Sequence, residues 1–305
     1  MAQTILHLDQ SRSGGHLLQR ILSDQPKRHL LDHPFSQARG KQVQWFINEH
    51  HADGMPDDLQ KEWESDVTKG MKIWERGLSR AQVENKILVI QDHCFNPAPP
   101  STVLHILDLI SNDSSTRNDG ENVTGLPENL LLQPGLIPLF TIRDPRLAVP
   151  SAYRVLQKFG LPAGGGRANF SVSTNLVWIR LMYNWFVAHG VEPVIVDCDD
   201  VQLSEGTDFL QRLCGRLGLD AERVKVEWES VTEKEKAATH PSFWASQSRL
   251  LESRGLQREL AAKGRDWVKE EEAWEEEFGG DVGLVREMVR EAERHYGWLL
   301  ERRFQ

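Results

Sequence analysis

Two segments of this chain run from an apolar strand through a short polar turn into an amphipathic helix. Together they limit the fold more than any other feature. The first is TILHLDQSRSGGHLLQRIL, Thr4 to Leu22; the second is LIPLFTIRDPRLAVPSAYRVL, Leu136 to Leu156. Each turn carries an arginine and small or hydroxyl residues where a helix begins. A helix N-terminus presents unpaired N–H groups and a partial positive charge, so it attracts phosphate. Two such ends on one parallel sheet suit a ligand with two separate phosphate groups.

Short apolar runs at Thr4–Asp9, Lys86–Gln91, Pro138–Ile142 and Pro193–Cys198 read as strands. Between them lie helical patterns: His16–Leu22; Trp63, Val67, Met71 and Trp74; Val103, Ile106, Leu107 and Ile110. Leu176–Val187, with Trp178, Trp185 and Phe186, reads as a buried helix. Strands alternating with helices predict an α/β fold, a mostly parallel sheet flanked by helices with right-handed crossovers. Ligands of such sheets sit beyond the carboxyl ends of the strands, where both arginine turns and His93 fall. From Pro241 the pattern is helical. The expected division is therefore an α/β domain over 1–240 and a helical extension over 241–305 packed on it, with Trp244, Trp267, Trp274 and Trp298 as anchors. Ser111–Pro134, rich in Asn, Asp, Ser and Gly, reads as a surface insertion. Phe159–Asn169 contains Gly164-Gly165-Gly166 and is either a loop that closes over a ligand or a plain linker.

The 305 residues are 39% hydrophobic and 27% charged, as in a water-soluble globular chain. The first residues, MAQTILHLDQ, lack a secretory pattern, and no stretch is apolar enough to span a bilayer. Three cysteines, Cys94, Cys198 and Cys214, have neither metal-ligand spacing nor an even count. A cytoplasmic protein is expected, and the asparagines of its Asn-x-Ser/Thr triplets are then plain sequence. The net charge is −9, and the late acidic runs Glu270-Glu271-Glu272 and Glu275-Glu276-Glu277 read as a solvated helix face. No basic stripe argues for nucleic acid. Local arginines and helix ends still allow an anionic nucleotide.

Ser11-Arg12-Ser13-Gly14-Gly15-His16-Leu17-Leu18 resembles the 5′-phosphosulfate loop of PAPS-dependent sulfotransferases, usually Pro-Lys-Ser-Gly-Thr-Thr-Trp-Leu. Arg143 followed by Ser151 resembles that family's 3′-phosphate motif, and Ile142-Arg143-Asp144-Pro145-Arg146 is also family-like. The likeness is closest to fungal sulfotransferase-like P-loop proteins. It implies 3′-phosphoadenosine 5′-phosphosulfate (PAPS) as donor, with no metal. It also implies Arg12, Ser13, Gly14, Gly15 and His16 around the 5′-phosphate, and Arg143 and Ser151 on the 3′-phosphate. Arg12 stands at the loop-lysine position, where a cation stabilises the leaving group; a guanidinium is a fork rather than a point charge. By their residues alone, the first segment is a tight strand-to-helix turn, and Arg143-Asp144-Pro145-Arg146 is an ion-paired helix start with an early proline.

The resemblance also implies a general base at His93, after the strand Ile87–Ile90. An imidazole there takes the acceptor proton, worth roughly 10²–10⁴ in rate. Asp92 is its nearest carboxylate in sequence, though neighbours on a strand face opposite ways. The family's lysine two places before the histidine is Gln91 here, which removes a cation; Arg12 alone, Arg39 or Arg167 are the candidates to replace it. His29, His33, His50 and His51 are further candidates near the acceptor. Lys263-Gly264-Arg265 is weakly similar to the late segment that completes the 3′-phosphate site, but reads more readily as a helix end.

The expected function is thus sulfonyl transfer from PAPS to a hydroxyl or amine of a small-molecule acceptor. Two alternatives stay open: an enzyme of this fold that does not use PAPS and performs elimination or cyclisation on a small anionic substrate, favoured by Gln91, and a non-catalytic nucleotide-binding protein. The Walker pattern is absent, which disfavours an ATPase or kinase.

Overall fold

Five strands lie parallel in one sheet: β1 Thr4–Asp9, β2 Arg28–Asp32, β3 Ile87–His93, β4 Leu136–Ile142 and β5 Val194–Asp197, in the order β2-β3-β1-β4-β5. This is a computed structural model, and it describes residues 3–47, 54–112, 120–160, 166–204 and 208–305. His50, His51 and residues 161–165 of the glycine-rich loop lie outside them.

The helices follow in chain order: α1 Gly15–Ile21, α2 Ser36–Ile47, α3 Asp57–Val83, α4 Pro100–Ser111, α5 Glu128–Leu131, α6 Pro145–Lys158, α7 Arg167–Thr174 and α8 Val177–Ala188. After β5 come α9 Cys198–Gln202, α10 Asp208–Leu217, α11 Glu233–Ala238, α12 Pro241–Glu252, α13 Trp267–Phe278 and α14 Val282–Leu300.

Strand side chains alternate between the sheet faces, and both faces are apolar. Leu6, Leu8, Leu88, Ile90, Phe140 and Ile195 pack with Trp45, Trp74 and Trp178 on one side. Ile5, Val89, Leu139, Val194 and Val196 pack with Leu18, Leu210 and Leu213 on the other. A sheet covered on both faces is what near-continuous apolar strands require. α8 is buried as expected, with Trp178, Trp185 and Phe186 at 5% exposure or less.

Three expectations needed revision. β2 carries no strong apolar run, since Arg28-His29-Leu30-Leu31-Asp32 is an edge strand that is only partly buried. The later part of Ser111–Pro134 is core rather than surface: Val123, Leu126 and Leu131 are buried, small apolar anchors hidden in a polar context. Of the four late tryptophans only Trp274 is buried. Trp298 does anchor, half-buried against the main core with Arg180 at 4.7 Å on its ring, whereas Trp267 and Trp244 carry Arg146 at 3.7 Å and Lys236 at 4.6 Å.

From β1 the chain crosses to β2 at the far edge, and from β3 it crosses to β4 on the other side of β1. The order therefore reverses around β1 and β3, and a crevice opens at their carboxyl ends. Register puts Asp9 beside His93 there.

Candidate active site

The two arginine turns meet. Arg12 follows β1 in a left-handed conformation, φ 67°. Its Nε donates to Ser151 Oγ on α6 at 3.0 Å, and its terminal nitrogen donates to the Ser246 carbonyl on α12. Arg143, one residue past β4, donates to the Arg12 carbonyl at 3.5 Å and to the Leu260 carbonyl at 3.1 Å. Its Nε is buried without a hydrogen-bond partner. Both predicted half-sites thus form one cleft of about 370 Å³, within the range of ligand pockets.

Charge distinguishes this cleft. Arg12, Arg143, Arg146, Arg154, Arg249 and Arg265 line it. Arg146, Arg154 and Arg265 are neutralised by Asp144, Glu277 and Glu270 at 2.6 Å each. Among the described residues, no ion pair engages Arg12, Arg143 or Arg249. Burial and the nearby Arg143 bring the Arg12 guanidinium down to about 10. The same two causes lower Arg249. Three guanidiniums on one cleft with no carboxylate in ion-pair contact give a positive charge suited to a polyanion.

The first loop closes the other side. Gly14 has φ 94°, and a Cβ there would meet Cys198 Sγ at 2.6 Å. A Cβ on Gly15 would lie 1.8 Å from Asp9 Oδ2 and 2.8 Å from Gln91 Nε2. Both glycines are therefore required by their surroundings. The hydrogen-bond ladder of α1 begins with Leu18 N on the Gly14 carbonyl at 3.0 Å, and no side chain caps the helix. The residues before it, Gly14 to Leu17, line the cleft with their N–H groups outside the ladder. Ser13 turns inward and bonds Thr141 Oγ1 at 3.1 Å, so its hydroxyl ties β1 to β4.

At the sheet crevice His93 Nδ1 pairs closely with Asp9 Oδ1. Asp9 is buried, and Gln91 Nε2 reaches its other oxygen at 3.3 Å. Burial opposes the charged form, but the charge and hydrogen bond of His93 outweigh it and hold the Asp9 carboxyl well below the usual range. The carboxylate orienting His93 is thus Asp9, not Asp92. Asp92 points the other way and accepts from Phe35 N at 2.8 Å and Asn96 Nδ2 at 2.5 Å. Sequence offered no signal for Asp9 beyond its place at a strand end, because its pairing depends on the β1–β3 register.

His33 also reaches this crevice. Its ring lies 4.9 Å from that of His93, edge on, and 5.2 Å from that of His16, stacked. Its Nδ1 meets Asp32 Oδ1 at 2.7 Å. Burial disfavours charge on His33, yet the bond to Asp32 and the neighbouring Asp92 and Asp9 raise it to about 9. His16, buried against the cationic His33, falls to about 4. His29 stays on β2, away from these contacts.

The two candidate cations separate. Arg167 is held at the surface by Glu287 at 2.5–2.6 Å. Arg39 lies over Phe95 at 4.8 Å, the ring that stacks on His93, and bonds Ser173 Oγ at 2.8 Å. Burial lowers it to about 9. The Lys263-Gly264-Arg265 segment does come to the cleft: the Ala262 and Lys263 N–H groups are anchored on Asp199 at 2.8 and 3.1 Å, and Arg265 lines the wall. It is a turn after a short 3₁₀ stretch, Arg258–Leu260, rather than the end of an α-helix. Arg249 and Leu260, which sequence did not single out, are wall residues supplied from this late part of the chain.

No family model matches the chain. Two fungal proteins, each named Sulfotransferase ppzF, do. The one from Metarhizium rileyi (strain RCEF 4871) is 30% identical over 195 residues, 60% of this chain and 56% of that protein. The one from Metarhizium majus (strain ARSEF 297) is 29% identical over 195 residues, with the same shares of 60% and 56%. The chain therefore spans a little over half the length of the curated relatives it matches. These similarities support a sulfotransferase-like family, in line with the resemblance of the two loops. Among the described residues no helix is long and apolar enough to cross a membrane.

Proposed function

We propose that the cleft binds PAPS and that the chain transfers its sulfonyl group to a hydroxyl or amine of a small-molecule acceptor. The observation that carries this is the trio Arg12, Arg143 and Arg249, without carboxylate partners and set around one cleft. The buried, unpartnered Nε of Arg143 fits an anionic oxygen. Gly14 and Gly15 leave backbone N–H groups open to a phosphate where any side chain would collide.

Within this reading Arg143 and Ser151 hold the 3′-phosphate, and the loop Ser13–His16 holds the 5′-phosphate. Arg12, anchored on Ser151, adds charge between the two half-sites, where the leaving group becomes more anionic. His93 keeps Nδ1 on Asp9 and so leaves Nε2 to take the acceptor proton. The acceptor oxygen or nitrogen bonds to sulfur, the sulfur–oxygen bond to the 5′-phosphate breaks, and the proton passes to His93. Asp9 stabilises the imidazolium that results. The products are the sulfonated acceptor and 3′-phosphoadenosine 5′-phosphate.

Radiolabelled PAPS incubated with a panel of hydroxyl and amine acceptors tests it. Labelled product that falls roughly 10²–10⁴-fold in His93→Ala, with nucleotide binding retained, supports the reading. Nucleotide binding with no product from any acceptor refutes transfer. That result favours a second reading, acid–base chemistry by Asp9 and His93 on another anionic substrate. Neutral, buried Gln91 on Asp9 is the observation behind it.

A further inference from the structure

We propose that Asp9, His33 and His93 form a binding site for one divalent transition-metal ion at the floor of the cleft. Each residue offers one ligand atom, and these atoms all lie within 4.8 Å of one another. Ligands bound to one ion at about 2.0–2.2 Å stand about 3–4 Å apart, so small side-chain adjustments complete the set. Two imidazoles and a carboxylate suit zinc, iron, manganese or cobalt and disfavour calcium and magnesium, which prefer oxygen.

The three residues come from three elements and are fixed by backbone. Asp9 and His93 are register partners at the ends of β1 and β3. His33 is held beside them by its N–H on the Gln91 carbonyl at 2.8 Å, in a left-handed turn of φ 47°. The groups around them are arranged as supports. Asp32 occupies His33 Nδ1 at 2.7 Å, which leaves Nε2 for an ion, the carboxylate–histidine–metal pattern. Gln91 Nε2 occupies Asp9 Oδ2, so an ion takes Oδ1 in place of that oxygen's present bond to His93 Nδ1. Asp9, Asp32 and Asp92 bring three carboxylates to this corner. Among the described residues none of them is ion-paired to lysine or arginine. Asp9 and His93 line the cleft, so a bound ion keeps open positions toward it.

The consequence for activity rests on the proposed function; the binding itself does not. An ion on His93 occupies the imidazole that deprotonates the acceptor, so metal loading and base-driven transfer exclude one another. The site is then an inhibitory one.

The test is titration of the tag-free full chain with Zn²⁺ alone, and with Co²⁺ read by visible absorption. One saturable ion per chain is expected. His33→Ala should weaken it at least tenfold, and the exposed Asp32→Asn about 10–100-fold. Binding of 3′-phosphoadenosine 5′-phosphate, whose cleft neither side chain lines, should be retained and reports folding. Absence of saturable binding to wild type, or equal affinity in wild type and both variants, overturns the proposal. Nucleotide titration without metal judges the transferase reading separately: metal binding with no nucleotide binding sinks that reading and leaves this one standing.

Discussion

Replacing Gly15 with alanine should strike the Asp9–His93 pair through a single methyl group. Gly15 has helical backbone, so the substitution brings no conformational strain of the kind Gly14 would suffer. Its Cβ would instead sit 1.8 Å from Asp9 Oδ2, 2.9 Å from Asp9 Cγ and 2.8 Å from Gln91 Nε2. Asp9 must move, and its bond to His93 goes with it. Overpacking of this type costs about 1–3 kcal/mol, and a charged hydrogen bond about 1.5–3 kcal/mol. The two share one displacement, so a loss of about 3–4 kcal/mol is expected. Urea unfolding followed by tryptophan fluorescence measures it. A double-mutant cycle isolates the cause: in the Asp9→Ala background only the movable Gln91 amide remains in the way. There Gly15→Ala should cost at least about 1.5 kcal/mol less than in wild type, a coupling ordinary for residues in contact. Additivity within about 0.5 kcal/mol would refute the reasoning.

Three further outcomes follow from the same geometry. Arg249→Ala should weaken 3′-phosphoadenosine 5′-phosphate roughly 10–100-fold, the scale of one charged hydrogen bond, whereas Arg154→Ala, already paired with Glu277, should change it less than threefold; equal effects would contradict the assignment. Burial raises Asp197 to about 6, despite the hydroxyl of Tyr296 at 2.8 Å and the Asp199 N–H at 2.7 Å that favour its charge. In the unfolded chain this carboxyl has the ordinary aspartate value of 3.8, so stability should fall as pH rises from about 4 to 6 and then level. Asp197→Asn removes this slope: its unfolding free energy should gain about 2 kcal/mol relative to wild type between pH 4 and 7, and a pH-independent difference would contradict it. Gly14→Ala forces a side chain into φ 94° against Cys198 and should lower stability by at least about 1 kcal/mol, where an unchanged midpoint would count against the described loop.

The two arginine turns were readable because strand, turn and helix are adjacent in sequence. Arg12 and Arg143 could be named without knowing how the chain folds back. His93 was legible as a histidine at a strand end. Its partner was not, since Asp9 meets it only through the β1–β3 register, and the nearer Asp92 faces away. The missed edge strand β2 hid the role of His33, whose placement depends on a backbone bond to Gln91. Arg249 carries no local signal either, because α12 reaches the cleft only after folding across α6. Val123 and Leu126 show the same limit from the packing side: one or two apolar residues in a polar stretch do not reveal that they are buried.

The central claim is a two-phosphate clamp built from both arginine turns. Calorimetric titration of 3′-phosphoadenosine 5′-phosphate into wild type and into Arg143→Ala tests it most directly. The account predicts micromolar binding to wild type and a loss of at least about tenfold in the variant. No binding to wild type, or equal affinity in both, would contradict it.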